Sequence, residues 1–226
     1  GGIFYFMIDL HVHSLFSDGV LLPSEIVRRA ESFGITALAI TDHVDISNID
    51  HVVPRIVKVC VELNRYWKII AIPGAEITHA PPESIDELSK KARKLGAKIV
   101  IVHGETIVEP VKPGTNRAAI NADIDILAHP GLITEEEVEL AKKRSIFLEI
   151  SGRKGHSFTN GHVALLSLKI GAKLIFNSDT HHPDDLIHEE KARKILLGCG
   201  IAGSDLEDTF KNSKNMVESI LKREKK

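Results

Sequence analysis

Histidines and carboxylates recur in this chain at the ends of short apolar runs. His11-Val12-His13 closes the run Met7–Val12, and Asp18 follows in the next loop. Asp42-His43 closes Ala37–Thr41, Glu76 lies near the end of Ile69–Ile77, and His103 follows Lys98–Val102. His129 follows Ile124–Ala128, and Asp179 and His181 follow Leu174–Asn177. Imidazole is the commonest side-chain metal ligand. A lone His-x-His pair says little, and Asp18-Gly19 alone reads as a turn. The set of these six histidines with Asp18, Glu76 and Asp179 says more. Brought together without a cation, its carboxylates would repel one another. Mixed imidazole and carboxylate donors suit Zn, Mn, Fe or Ni better than Ca or Mg. Nine donors exceed the seats around one ion, so two or three divalent transition metals are expected.

The elements that must position these residues are short apolar runs alternating with helical patterns. A seventh run, Ile146–Ile150, completes the strands; helical spacing occupies Ser24–Phe33, Asn48–Trp67, Ser84–Leu95, Glu135–Lys143 and Gly161–Ile170. Continuous apolar runs are expected of strands covered on both faces. Ser84 with Glu87 and Thr134 with Glu137 have capping-box spacing. Gly34, Gly96 and Gly171 stand where helices end on a left-handed residue. Parallel strands with right-handed crossovers follow. No Gly-rich phosphate turn follows the first strand, which disfavours an open dinucleotide-binding sheet. In a closed barrel every strand C-terminus opens on one mouth, and the period-two spacing of His11 and His13 lets both rings face it. The expectation is an α/β fold with one barrel domain over residues 7–226, ending in a helix over Ser204–Lys226 with a solvated basic tail. Residues 1–6 read as a cloning leftover or an alternative start.

Composition narrows the function. The chain has 226 residues, a net charge of −2, 12 histidines and two cysteines. That length can bury one sizeable core. The low charge disfavours a generic nucleic-acid binder, whose affinity comes from clustered Lys and Arg. Two cysteines make no disulfide scaffold, no leader is evident, and no apolar run nears the roughly 20 residues of a membrane span. A cytoplasmic location is therefore expected.

The ordered set His11-x-His13, Asp18, Asp42-His43, Glu76, His103, His129 and Asp179-x-His181 resembles the polymerase and histidinol phosphatase (PHP) family, from Met7 to about Cys199. The resemblance implies a distorted TIM-like (β/α)7 barrel with up to three Zn, Mn or Fe ions at the C-terminal ends of the strands. It implies His11, His13, Glu76 and Asp179 on the first ion, Glu76, His103 and His129 on the second, and Asp18, His43 and His181 on the third. It further implies phosphoesterase activity on a small phosphorylated substrate, with a metal-bridging hydroxide as nucleophile and no protein nucleophile. Some family members carry His where Asp18 stands.

Phosphate esters call for a further cation. Arg153, just past the sixth strand in Glu149-Ile150-Ser151-Gly152-Arg153, is the first candidate, since a guanidinium matches phosphate oxygens; the alternative is a surface arginine. Arg117, in Gly114-Thr115-Asn116-Arg117, is the second, although helix capping by Thr115 or Asn116 explains that segment more simply. Surface roles are expected for His51, His156 and His162, with proton donation or substrate contact as the alternative for His156 and His162; His79 is expected in a loop, with approach to the mouth as the alternative, and His182 is expected to point away from the ligand it adjoins. His188 is expected to start a helix. Cys60 and Cys199 read as packing residues. Two other functions compete. A zinc amidohydrolase also uses His-x-His, but often adds a metal-bridging lysine on the fourth strand, where Lys98 stands at the wrong end. A non-catalytic RNA-binding barrel should have lost these ligands and gained basic patches.

Overall fold

The structure, a computed structural model, describes residues 7–223. The segment 1–6 and the last three residues of the basic tail lie outside the described residues. In chain order the elements are β1 (Met7–Val12), α1 (Pro23–Ser32), β2 (Ile35–Ile40), β3 (His43–Val44), α2 (Ile49–Leu63), β4 (Ile70–Ile77), α3 (Ile85–Lys94) and β5 (Ile99–His103). There follow α4 (Thr115–Asn121), β6 (Ile126–Ala128), α5 (Glu135–Arg144), β7 (Phe147–Ser151), α6 (Asn160–Ile170), β8 (Leu174–Asn177), α7 (Glu189–Gly198) and α8 (Gly203–Arg223).

All strand pairs are parallel, in the order β1-β2-β4-β5-β6-β7-β8, with β3 also beside β4. The expected seven runs are present, and β3 adds an eighth strand. It continues β2 in the same register on β4: Ile40 faces Pro73, and His43 faces Glu76. The sheet nearly closes. Val12 bridges Thr180, and the His13 N–H donates to the Thr180 carbonyl at 2.8 Å. Deeper along this seam side chains replace the ladder: the Leu10 N–H donates to Asn177 Oδ1 at 2.9 Å, and Ser178 donates to the Asp9 carboxylate.

Two apolar layers build the barrel. The outer one packs helices against the outward faces of the strands, with Val27, Leu38, Val53, Val100, Leu127 and Leu148 all buried. The inner one joins Leu10, Ala39, Ile72, Ile101, Ile126 and Ile175 to Met216, Val217 and Ile220 of α8. α8 thus plugs the end of the barrel where the strands begin. The inner face turns polar toward the other end. On β5, Ile99 and Ile101 lead at period two to His103; on β7, Phe147 leads to Glu149; on β8, Ile175 leads to Asn177.

Local signals fared unevenly. Thr134 and Glu137 form the reciprocal capping box, and Gly34, Gly96 and Gly171 adopt φ of 86°, 109° and 80° after α1, α3 and α6. Ser84 does not cap α3. The Pro81-Pro82 pair starts a 3₁₀ turn upstream, and the Ser84 hydroxyl closes it on the Pro81 carbonyl at 2.8 Å. His188 caps α7 as expected, its ring accepting from the Lys191 N–H. Cys60 is buried in α2, and the half-buried Cys199 thiol donates to the Ile195 carbonyl. No helix among the described residues is long and apolar enough to cross a membrane.

The plugging role of α8 has a measurable consequence. Val217→Asp sets an unpaired carboxylate against the apolar inner layer and should cost on the order of 3 kcal/mol or more. Lys214→Ala, on the exposed side of α8, should stay within about 0.5 kcal/mol. Urea denaturation midpoints distinguish the two, and equal midpoints would contradict the assignment of α8 as the plug.

Candidate metal centre

The histidine-bearing strand ends converge on a cavity of about 220 Å³ lined by Asp18, His43, Thr78, His79, His103, Glu109, His129, Arg153, His156, Asp179 and His181. His11, His13 and Glu76 lie beneath it, fully buried. All nine residues expected as metal ligands therefore meet at one mouth.

Backbone irregularities aim several of them. Strict alternation would send Leu10 and His11 to opposite faces of β1. A register shift between Asp9 and Val12 lets Leu10 join the inner apolar layer while His11 and His13 face the mouth. This is how a bulge re-aims side chains. His129 and Asp179 adopt φ of 27° and 56°, a region that non-glycine residues enter at a cost and that concentrates at functional sites.

The deepest contacts surround Glu76 and Asp179. His11 Nε2 lies 3.3 Å from Glu76 Oε2 and 3.7 Å from Asp179 Oδ1, and His13 Nε2 lies 3.5 and 3.3 Å from the same atoms. His129 Nε2 is 3.6 Å from Glu76 Oε1 and 3.7 Å from Asp179 Oδ2. Toward the rim, Asp18 Oδ1 sits 3.4 Å from His43 Nε2 and 3.1 Å from His181 Nε2. Donor atoms sharing an ion at about 2.1 Å lie roughly 3.4 Å apart in a tetrahedral shell, and these separations fall near that value.

Unsatisfied atoms give a second test of fit. His11 Nε2, both His13 nitrogens, both Glu76 oxygens, His129 Nδ1, Glu149 Oε1 and Asp179 Oδ1 are buried without a well-aligned hydrogen bond, although His43 Nδ1 lies 2.8 Å from Glu76 Oε2. Buried polar atoms are rarely left alone, and a cluster of lone-pair donors is completed by cations. Three groups with mutually close donor atoms match the expected ions in part: His11 with His13 and Asp179; His103 with His129 and His156; and His13 with Asp18, His43 and His181.

Electrostatics are correspondingly extreme. Burial would pull the His11 pKa down, but Glu149, Glu76 and Asp179 outweigh it and raise the pKa well above the ordinary histidine value. Burial and neighbouring imidazoles hold His13 and His129 well below it. Burial also opposes ionisation of Glu76, yet His11 and His43 keep its carboxyl strongly acidic. For Asp179 burial wins over its histidines, and its pKa rises to about 7.

Other expectations resolve as follows. Arg153 stands at the mouth: its Nη1 is 2.8 Å from His181 Nδ1 and 3.3 Å from the Asp179 carbonyl. Arg117 does not; it is exposed on α4 and pairs with Glu136 at 3.0 Å. Its helix starts from Gly114 with no side-chain cap, because Asn116 instead ties the Glu105 N–H to the Pro130 carbonyl. His156, expected on the surface, is buried and stacks on His129 with ring centres 4.0 Å apart and planes at 15°. His162 lies at the barrel's flank rather than the mouth, its Nε2–H donating to the Ile133 carbonyl at 2.7 Å. His51 is exposed on α2, and His182 caps a 3₁₀ turn.

Two carboxylates escaped the sequence reading. Glu149 Oε2 accepts from His11 Nδ1 at 2.8 Å and from Asn177 Nδ2 at 2.9 Å. This fixes the His11 proton on Nδ1 and leaves Nε2 for the mouth, the usual support of a metal-binding histidine. A charged residue inside the apolar run Ile146–Ile150 was the available signal. Glu109 lies in the long loop after β5, where nothing in the pattern marks it.

The PHP domain family matches residues 9–161. The uncharacterized protein MJ1295 of Methanocaldococcus jannaschii is 50% identical over 204 residues, covering 89% of this chain and 94% of that protein. Among solved structures, a chain of archaeal ribonuclease P with mature tRNA superposes with a TM-score of 0.69 at 15% identity, covering 93% of this chain and 90% of that one. The histidinol phosphate phosphatase (HISK) of Lactococcus lactis, complexed with Zn, L-histidinol and phosphate, superposes with a TM-score of 0.58 at 18% identity, covering 85% and 93%. At these identities the structural likeness shows the fold.

The Glu149–His11 contact makes a prediction. Glu149→Ala should weaken Zn²⁺ binding about 10–100-fold, whereas Glu149→Gln, which keeps an acceptor, should lose less. Competition with a chromophoric chelator measures both, and wild-type affinity in Glu149→Ala would contradict the supporting role.

Proposed function

The chain belongs to the PHP domain family, and from that membership we propose that it is a metal-dependent phosphoesterase acting on a small phosphorylated substrate. The observation that carries this reading is the cluster of buried donor atoms without a well-aligned hydrogen bond beneath a mouth that also holds Arg153. His11, His13, Glu76 and Asp179 are proposed to hold one ion, Glu76, His103 and His129 a second, and Asp18, His43 and His181 a third. The mixed imidazole and carboxylate donors suit Zn, Mn or Fe. When bound, divalent ions supply charge stabilisation for a phosphoryl group and acidify a coordinated water.

The chain's own residues supply positioning, which phosphoryl transfer needs more than a protein nucleophile. No Ser or Cys is among the described residues lining the cavity. Arg153 is 31% exposed at its side chain and lies 3.9 Å from Asp179 Oδ2 and 3.8 Å from Asp185 Oδ2. These carboxylates hold its guanidinium at the mouth, where it can give two N–H bonds to phosphoryl oxygens. The small cavity takes a phosphoryl group and leaves the rest of a substrate to the surrounding loops. Zn with L-histidinol and phosphate in the Lactococcus lactis relative supports this substrate class.

The competing functions have weaker support. Lys98 precedes β5, at the end of the barrel away from the mouth, so no lysine of that strand can bridge ions as in many amidohydrolases. A barrel that only binds RNA has no use for nine retained donors, and the net charge of −2 gives no overall attraction for a polyanion.

The reading is tested by phosphate release from a panel of phosphate monoesters, run beside phosphodiesters and amides after reconstitution with Zn²⁺, Mn²⁺ or Fe²⁺. Monoester hydrolysis is expected, and no hydrolysis with any metal would reject it. His103→Ala should lose both bound metal and activity, whereas His51→Ala should keep both. Arg153→Ala should raise KM for a monoester without lowering metal content.

A further inference from the structure

We propose that Glu109 is a loop-borne ligand of the divalent ion at His103, held in place by His79 and His156 and exchanged for a phosphoryl oxygen when substrate enters. This rests on the metal-dependent reading above and adds to it a residue outside the nine strand-end donors.

The contact with His103 is the first ground. His103 Nδ1 lies 3.2 Å from the Gly104 carbonyl, an acceptor that keeps the ring proton on that nitrogen. The other nitrogen, Nε2, then carries a lone pair and faces Glu109 Oε2 at 3.1 Å. At that separation a proton on Nε2 can bridge the two atoms when no metal is bound, and a cation can replace it, since 3.1 Å is also near the spacing of neighbouring ligands on one ion. His79, His103 and Glu109 form a group whose donor atoms are mutually within 4.8 Å.

The setting of the carboxylate is the second. His79 Nε2 lies 3.1 Å from Glu109 Oε2, and His156 Nε2 lies 3.4 Å from Glu109 Oε1. The Thr106 hydroxyl is 2.9 Å from His156 Nδ1; donating there, it leaves the His156 proton on Nε2, directed at Glu109. Because the His156 and His129 planes are nearly parallel, their in-plane lone pairs cannot converge on one ion. His156 is thereby a donor to the carboxylate rather than a partner of His129 in ligation.

Backbone strain is the third. Four described non-glycine residues have positive φ: His79 at 50°, His129, Ser145 and Asp179. Ser145 ends α5 in the ordinary left-handed way. His129 and Asp179 are in the candidate centre, which leaves His79 as a third strained residue turned to the mouth. Strain of this kind persists where the surroundings require a particular side-chain direction.

The loop itself suits an exchangeable ligand. Glu105 Oε1 accepts from the Gly114 and Asn116 N–H groups at 2.9 Å each, pinning both ends of the loop. Glu109 lies midway between, with its side chain 37% exposed. A phosphoryl group offers oxygens that can take over the ion and the two imidazole donors. The loop can then lift without moving the strand-borne ligands.

The test uses the full chain, stripped and titrated with Co²⁺ against a chelator, with the visible spectrum recorded. Inorganic phosphate is then titrated at saturating Co²⁺. Glu109→Ala should bind its weakest Co²⁺ at least about tenfold less tightly, with an altered spectrum, and should bind phosphate several-fold more tightly because the internal competitor is gone. Glu109→Gln should fall between it and wild type. Glu139→Ala, an exposed acid on α5, should match wild type. Unchanged Co²⁺ affinity in Glu109→Ala, or weakened affinity with no gain for phosphate, overturns the proposal. His103→Ala separates the two levels. If it loses Co²⁺ while Glu109→Ala does not, only the loop ligand is rejected. If neither loses Co²⁺, the metal reading itself fails.

Discussion

The structure depends on one electrostatic constraint: three carboxylates, those of Glu76, Glu149 and Asp179, share a dry pocket with His11, His13 and His129. Buried carboxylates this close cannot all stay charged without compensation. Protons on His11 compensate some of the charge, as its raised pKa shows. They cannot serve every acceptor, since burial and mutual repulsion keep His13 and His129 neutral. Eight site atoms remain without a well-aligned hydrogen bond. Burial also favours a proton on Asp179, whose pKa rises to about 7, and cations are the further means of balance that this donor set suits.

The barrel makes that arrangement tolerable. Its inner face is apolar over most of its length and is plugged by α8, so the polar cluster is confined to one end. Confinement keeps water from the far side and fixes the depth at which each donor stands. At the seam between β8 and β1, Asn177 shows how closely scaffold and site are joined: one amide replaces a ladder bond to Leu10 and supports Glu149. The bulge in β1 and the positive φ at His129 and Asp179 are local costs of aiming donors inward. The regular helices and strands around them hold these positions.

Much of this was legible in the sequence, for physical reasons. Parallel strands buried on both faces leave continuous apolar runs, and a barrel puts all their ends together. Residues at those ends could therefore be assigned to one mouth without a structure. The same logic hid Glu149, which sits within a run rather than after it. Its inward direction follows from period two, since Phe147 and Glu149 share a face, but only once the inner face of β7 is known. Loop residues were out of reach. Glu109 and His156 are brought in by turns whose course depends on tertiary contacts such as Thr106 to His156. Arg117 shows the converse error: a plausible helix start near the mouth whose side chain is drawn outward by Glu136. Ser84 failed because the helical path began upstream, at two prolines.

The surroundings of the centre divide by mobility, and this bears on specificity. Apart from the partly exposed His43, the strand-borne donors are fully or almost fully buried, and their positions are set by packing. Arg153, His79 and Glu109 stand at the rim, are partly exposed, and lie on loops. A cavity of about 220 Å³ leaves little room to recognise anything beyond the reacting group. Selection among substrates therefore falls to the rim, where side chains can exchange partners at modest cost. The deep layer fixes the chemistry because moving it would expose uncompensated charge; the rim can vary because its groups keep partial access to water. A family sharing this barrel can thus retain its chemistry while changing its substrates through the loops after β5, β7 and β8.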